Sequence, residues 1–152
     1  KIHSNLESLG INCKIILTAD HGHLEINPHL SLDVESDLSH LLREPPFGDM
    51  RVHYWKVIPG AEQTFISLFQ AVYGEWFFII SSREAIEMGL FGSTDSVDTS
   101  RFNIGDFVSI AKGSAALRFS GFPGHRSFLK MKSHHSGLTP AEMRIPLVIA
   151  DI

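Results

Sequence analysis

The stretch KIILTADHGH, residues 14 to 23, decides how the rest of the chain is read. Lys14 to Ala19 is a short, continuous apolar run, the pattern of a strand covered on both faces. It ends in an acid and then two histidines flanking a glycine. A core strand has no use for such residues, but in open α/β sheets ligands gather at the carboxyl ends of strands. Asp20 and His21 occupy that place. A carboxylate oxygen with an imidazole nitrogen is a partial ligand set for Zn²⁺ or Mn²⁺, and Gly22 lets the chain leave sharply without a side chain filling the site. Two ligands do not hold an ion. Asp-His-Gly is also a plain turn in which the acid caps backbone amides.

Bulk properties narrow the setting. The 152 residues suffice for one compact domain, and 43% hydrophobic with 20% charged residues is a globular composition. A net charge of −4 gives no basic field, so nucleic-acid binding is not indicated. The longest strongly apolar runs, 76–80 and 145–152, fall far short of the roughly 20 residues that span a bilayer. The single cysteine, Cys13, reads as a buried structural thiol and fits a cytoplasmic setting. The chain begins at Lys1, so a leader or a whole region can precede it.

Working outward from the opening strand, His3 to Leu9 has helical spacing with Gly10 as its stop. Residues 24–49 lapse into turn-rich sequence with Asn27-Pro28 and Pro45-Pro46, the signature of a loop or lid insertion, with a short helix expected over Ser36 to Arg43. RVHYWKV, residues 51–57, alternates like a strand. Phe65, Leu68, Phe69 and Val72 form a helical stripe over Ala61 to Tyr73, stopped by Gly74. EWFFIIS follows as a buried strand, then a short helix from Ser82 to Leu90 capped by Ser81 or Ser82, with Gly92 beyond its end. Residues 105–113 and 115–120 read as strands paired around a tight turn. Thr139-Pro140-Ala141-Glu142 carries a capping box with proline in the first turn, and RIPLVIADI closes the chain as a strand. The alternation of helices and buried strands makes this an α/β domain with an antiparallel strand pair among its later strands.

The remaining histidines supply candidates for the missing ligands. His134 and His135 lie in a glycine-containing loop before the capped helix, and His23 follows the opening turn. His125 has no supporting pattern; His3, His29 and His40 read as surface residues. Asp49 and His53 have the spacing of a helical metal pair, but on a strand four residues span about 13 Å, too far for one ion. The histidine and glutamate set of HGHLEINPH is similar to a cupin site, but the helical stretches do not fit an all-β barrel.

ILTADHG, taken with SREAIEMGLFG, RFNIGDFVSIAKG and above all HHSGLTPAEMRIPL, resembles the alkaline phosphatase superfamily. The nearest branch is the type I phosphodiesterase/nucleotide pyrophosphatase and PglZ-like group. The resemblance covers most of the chain outside the 24–49 segment and is strongest in the ordered pairing of Asp-His-Gly with the later histidine element. It implies the C-terminal part of an alkaline-phosphatase-like sheet flanked by helices, and a phosphoric ester hydrolase using two divalent ions, zinc or manganese. By position, Asp20 and His21 match the pair on the nucleophile-side ion and His135 the histidine on the second ion. His134 stands where the family often has a small residue, as a neighbour or substitute ligand. His23 stands where hydrophobic residues are common, facing substrate or solvent. Ser136 replaces a frequent glycine. The family's Thr/Ser nucleophile and its other ligands lie upstream of this strand, and the 19 residues before Asp20 contain none of them. The resemblance therefore implies a C-terminal fragment of a larger phosphoesterase that acts on a phosphate ester, with the upstream half as its partner. Alone it is expected to be inactive and to fill the metal site partly or not at all. The competing expectation is a non-catalytic interaction or regulatory module that keeps the fold, as PglZ-like proteins of phage defence make credible.

Overall fold

The computed structural model describes residues 1–92 and 103–151, without the side chain of His125. In chain order the elements are α1 (Ile2–Ser8), β1 (Lys14–Thr18), β2 (Leu24–Glu25), β3 (His29–Leu32), a 3-10 turn (Ser39–Leu41), β4 (Phe47–Asp49) and β5 (Val52–Trp55). Then follow α2 (Glu62–Tyr73), β6 (Phe77–Ser81), α3 (Ser82–Glu87), β7 (Phe107–Ala111), β8 (Ala116–Phe119), α4 (His125–Phe128), β9 (Ser133–His134), α5 (Pro140–Met143) and β10 (Leu147–Asp151). The α/β class expected from the sequence is what the chain adopts, with mostly antiparallel pairing. The segment 24–49 is tied down by short strands and a 3-10 turn rather than by a longer helix.

The core forms where α2 lies on an antiparallel sheet of order β4-β5-β7-β6. Phe65, Phe69 and Tyr73 recur every four residues and are buried, so they make one helical stripe. Trp55 is enclosed between Phe65 and Phe69, at ring separations of 5.5 and 5.4 Å, and its indole N–H donates to Ser109 Oγ at 2.9 Å. The stripe is rotated slightly from the sequence reading, since Val72 stays exposed and Tyr73 turns inward to donate to the Ser31 carbonyl. Ser81 caps α3 through a reciprocal capping box with Glu84.

One expected pairing is not made. β7 and β8 do not form a hairpin; β7 pairs with β5 on one edge and β6 on the other, while β8 pairs in parallel with β3. Both hydrogen-bonding edges of β7 are taken, which leaves none for its neighbour in sequence.

β1 and β10 form a separate two-stranded antiparallel ribbon, from Lys14 opposite Asp151 to Thr18 opposite Leu147. Here too the sequence expectation changes: β1 is covered on neither face. Ile16, Leu17, Leu147, Val148 and Ile149 are each more than half exposed, and neighbours such as Ile16 and Leu17 point to opposite faces. Cys13 is a half-buried free thiol. Among the described residues no helix is long and apolar enough to cross a membrane.

Candidate metal centre

The turn after β1 and the loop after β9 come together at one end of the ribbon. The β2–β9 ladder sets them side by side, with Leu24 opposite His134 and Glu25 opposite Ser133. Beyond this short ladder, the backbone N–H of Gly22 donates to the Glu142 carbonyl at 2.7 Å. Gly22 serves a different purpose from the one its sequence context indicates. A Cβ there would stand 1.9 Å from the Ala141 carbonyl oxygen, so the missing side chain makes room for α5 rather than for a ligand.

Among the described residues, His21, His23 and His135 form a group able to hold a metal ion, with ligand atoms within 4.8 Å of one another. All three are exposed. His21 Nδ1 lies 2.7 Å from the Gly22 carbonyl, so that nitrogen carries the proton and Nε2 presents a bare lone pair. Asp20 turns Oδ1 back to accept its neighbour's backbone N–H at 3.0 Å, and its other oxygen, Oδ2, lies 3.6 Å from His21 Nε2. Two donors on one ion at about 2.0–2.2 Å stand roughly 3.0–3.6 Å apart, so this pair suits a single ion. The Asp20 carboxylate caps the turn with one oxygen and leaves the second for a ligand, so the two readings of Asp-His-Gly are compatible.

The rings of His21 and His135 are stacked, 3.7 Å between centroids and 5° from parallel. Imidazole lone pairs lie in the ring plane, and two parallel planes share no point where one ion could satisfy both. His23 lies 5.3 Å from His135, tilted by 38°, and its Nε2 meets Ser133 Oγ at 2.8 Å.

His134 stacks its ring 5.3 Å from that of His135 but directs its nitrogens to Asp49 and Ser136. It is buried, with Nε2 3.4 Å from Asp49 Oδ1 and Nδ1 3.1 Å from Ser136 Oγ. Burial lowers its pKa, nearby Asp49 raises it, and His135, Arg51 and His23 lower it further. Asp49 is thus engaged with His134 rather than pairing with His53. His53 is buried with Nε2 3.0 Å from the Leu117 carbonyl, and burial brings its pKa down to about 4. His29, expected at the surface, is half-buried, with Nε2 2.7 Å from the Met131 carbonyl. His3 and His40 lie exposed beside Glu7 and Glu35. The side chain of His125 lies outside the described residues.

Behind the site sits a pair that the sequence reading misses. Arg51 and Glu142 are fully buried and joined by two hydrogen bonds, from Nε to Oε1 and, at 2.8 Å, from Nη2 to Oε2. Burial pushes the Glu142 carboxyl up, but hydrogen bonds from Arg51, Thr139 and Gly137 and the Arg51 charge outweigh it and hold the pKa down at about 2. The capping box pointed to Glu142 as a local cap; nothing in RVHYWKV marks Arg51 as its partner.

No known family description matches the chain, and no curated protein does. Solved structures do. Phosphonoacetate hydrolase from Sinorhizobium meliloti 1021, in complex with phosphonoformate, superposes with a TM-score of 0.59 at 20% identity, over 97% of this chain and 38% of that one. Murine ectonucleotide pyrophosphatase/phosphodiesterase 5 superposes with a TM-score of 0.59 at 14% identity, over 95% of this chain and 36% of that one. An inactive form of the murine protein, in complex with AMP, matches at 0.57 and 15%, over 95% of this chain and 36% of that one. This chain spans little more than a third of the length of these proteins. Nearly all of it nonetheless has the alkaline-phosphatase-like fold of a part of these proteins.

Proposed function

We propose that this chain is one wall of a binuclear metal centre in a phosphoesterase. Asp20 and His21 would hold the ion on the nucleophile side and His135 the second ion, with His23 beside them at the open edge of the site. The observation that carries the reading is the stacking of His21 on His135, two residues far apart in sequence, with the Asp20 carboxylate alongside. Imidazole with carboxylate is a donor set suited to zinc and tolerant of manganese. Such a pair of ions supplies charge stabilisation at the phosphoryl oxygens and a hydroxyl activated for attack.

The chain's own groups define what it contributes. The Gly22 carbonyl fixes the His21 tautomer, leaving Nε2 bare. The Asp20 carboxylate brings negative charge to that nitrogen. His134, turned inward to Asp49, lies behind His135 with ring centroids 5.3 Å apart. The Thr or Ser nucleophile and the remaining ligands belong, in this reading, to an upstream half of the parent protein. The ribbon of β1 and β10 supports that partner. A two-stranded sheet with apolar side chains exposed on both faces is the form of a strand pair meant to be enclosed.

The substrate class is a phosphate ester, and the test is hydrolysis of a nitrophenyl phosphodiester with added zinc or manganese. The parent protein containing this chain is expected to be active and to lose that activity on Asp20→Ala. The 152-residue chain alone is expected to be inactive. Hydrolysis by the isolated chain that is indifferent to Asp20→Ala would overturn the proposal. A parent inert toward phosphate esters, with no metal uptake, would instead favour a regulatory module that keeps the fold.

A further inference from the structure

The Arg51–Glu142 pair is fully enclosed, although Glu142 belongs to a helix of a single turn. Enclosing two charges carries a large desolvation penalty, and an apolar pair of similar size often stabilises as well or better. A capping box needs the glutamate but does not need an arginine beneath it. We propose that this pair is a clamp that holds the two segments of the metal centre against each other, with Glu142 as its positioning residue. The inference rests on the metal centre proposed above.

The clamp's connections meet the site on both sides. The Glu142 backbone carbonyl accepts the N–H of Gly22, the residue after His21. Its carboxylate accepts the N–H of Gly137, two residues after His135, at 2.8 Å, and the N–H and hydroxyl of Thr139 at 3.2 and 2.6 Å. One residue therefore grips the turn that carries His21 and the loop that carries His135. Arg51 anchors that residue to the core, since Nη1 donates to the Ala115 carbonyl at 2.7 Å and Nη2 to the Gly113 carbonyl at 2.6 Å. The fit is close. A Cβ on Gly137 would stand 2.6 Å from Glu142 Oε2 and 2.8 Å from Arg51 Nε. The β2–β9 ladder brings the segments together but stops at Leu24 and His134, before either stacked ring. What lies beyond the ladder is held by Glu142.

Replacing both charges separates positioning from stability. In Arg51→Met/Glu142→Leu no unpaired charge is left buried, so the fold is expected to persist, reported by the Trp55 indole N–H resonance. Gly137 N–H then has no acceptor. The expected result is loss of the cross-relaxation between the His21 and His135 ring protons in the metal-free protein. Zinc affinity should fall by about 10-fold or more. Glu142→Asp keeps the charge opposite Arg51 but withdraws the carboxylate from Gly137, and the same two losses are expected. Either variant folded with native ring contact and native zinc affinity overturns the clamp. Unfolding of both also overturns it, because the pair would then determine the fold rather than the site. The ring contact needs no metal, so a wild-type parent protein that shows it yet takes up no zinc sinks the metal reading while the clamp is judged on the contact alone.

Discussion

Gly22→Ala tests the local architecture of the site with a single methyl group. The new Cβ would lie 1.9 Å from the Ala141 carbonyl oxygen, where real contacts essentially never fall below 3.0 Å, so α5 or the turn must retreat by about 1 Å. Both are backbone, so no flexible side chain can absorb the shift. The retreat also breaks the 2.7 Å hydrogen bond from Gly22 to Glu142. Overpacking costs about 1–3 kcal/mol and a lost hydrogen bond about 0.5–1.5 kcal/mol, so the variant should be destabilised by roughly 2–4 kcal/mol. Ligand constellations tolerate displacements of about 0.5 Å, so zinc affinity should fall together with stability. Urea denaturation and zinc titration on the same preparation read both quantities. A variant within about 0.5 kcal/mol of wild type, with unchanged zinc affinity, would refute the close approach of α5 to the turn.

Two further predictions concern the body of the protein. Stability should decline in two stages as pH falls. From about 6.5 to about 4 the unfolded chain takes up a proton on His53 that the folded chain resists; from about 4.5 to about 2 the same holds for Glu142. Both folded-state values are depressed, so both contributions are present at neutral pH and lost on acidification, at up to about 1.4 kcal/mol per pH unit for each group. His53→Gln should flatten the upper stage in denaturation curves taken across pH, and an unchanged slope there would contradict the burial of a neutral imidazole. Phe65→Ala, at a fully buried ring against Trp55 and Phe69, should cost about 3–5 kcal/mol in thermal or urea unfolding, and a loss below about 1 kcal/mol would misplace the core.

How far the sequence reveals this molecule depends on the range of each signal. α2, β6, the serine cap of α3 and the capping box of α5 are legible because their determinants are local: a four-residue apolar period, a buried run after a glycine, a serine before a helix, a threonine three residues before a glutamate. The β7–β8 hairpin misleads because strand pairing is decided by distant partners, and β5 and β6 had already taken both edges of β7. The apolar character of β1 was legible, but its environment was not, since a run such as KIILTA records that a strand wants cover without recording what covers it. In the site, a strand-end motif drew attention to Asp20 and His21 and a histidine loop to both His134 and His135, while the choice of His135 came from the family resemblance alone. The structure then brings His21 and His135 into contact and engages His134 with Asp49. Arg51 was illegible for the opposite reason. An arginine before an alternating strand is ordinary at the surface, and only the fold shows it buried against Glu142.

Zinc titration of the parent protein that contains this chain, followed by calorimetry, tests the central claim most directly. Saturable uptake should be lost or weakened by about 10-fold or more in each of Asp20→Ala, His21→Ala and His135→Ala, while His40→Ala leaves it unchanged. Uptake that survives all three substitutions, or no uptake at all at millimolar zinc, would contradict a metal centre built on these residues.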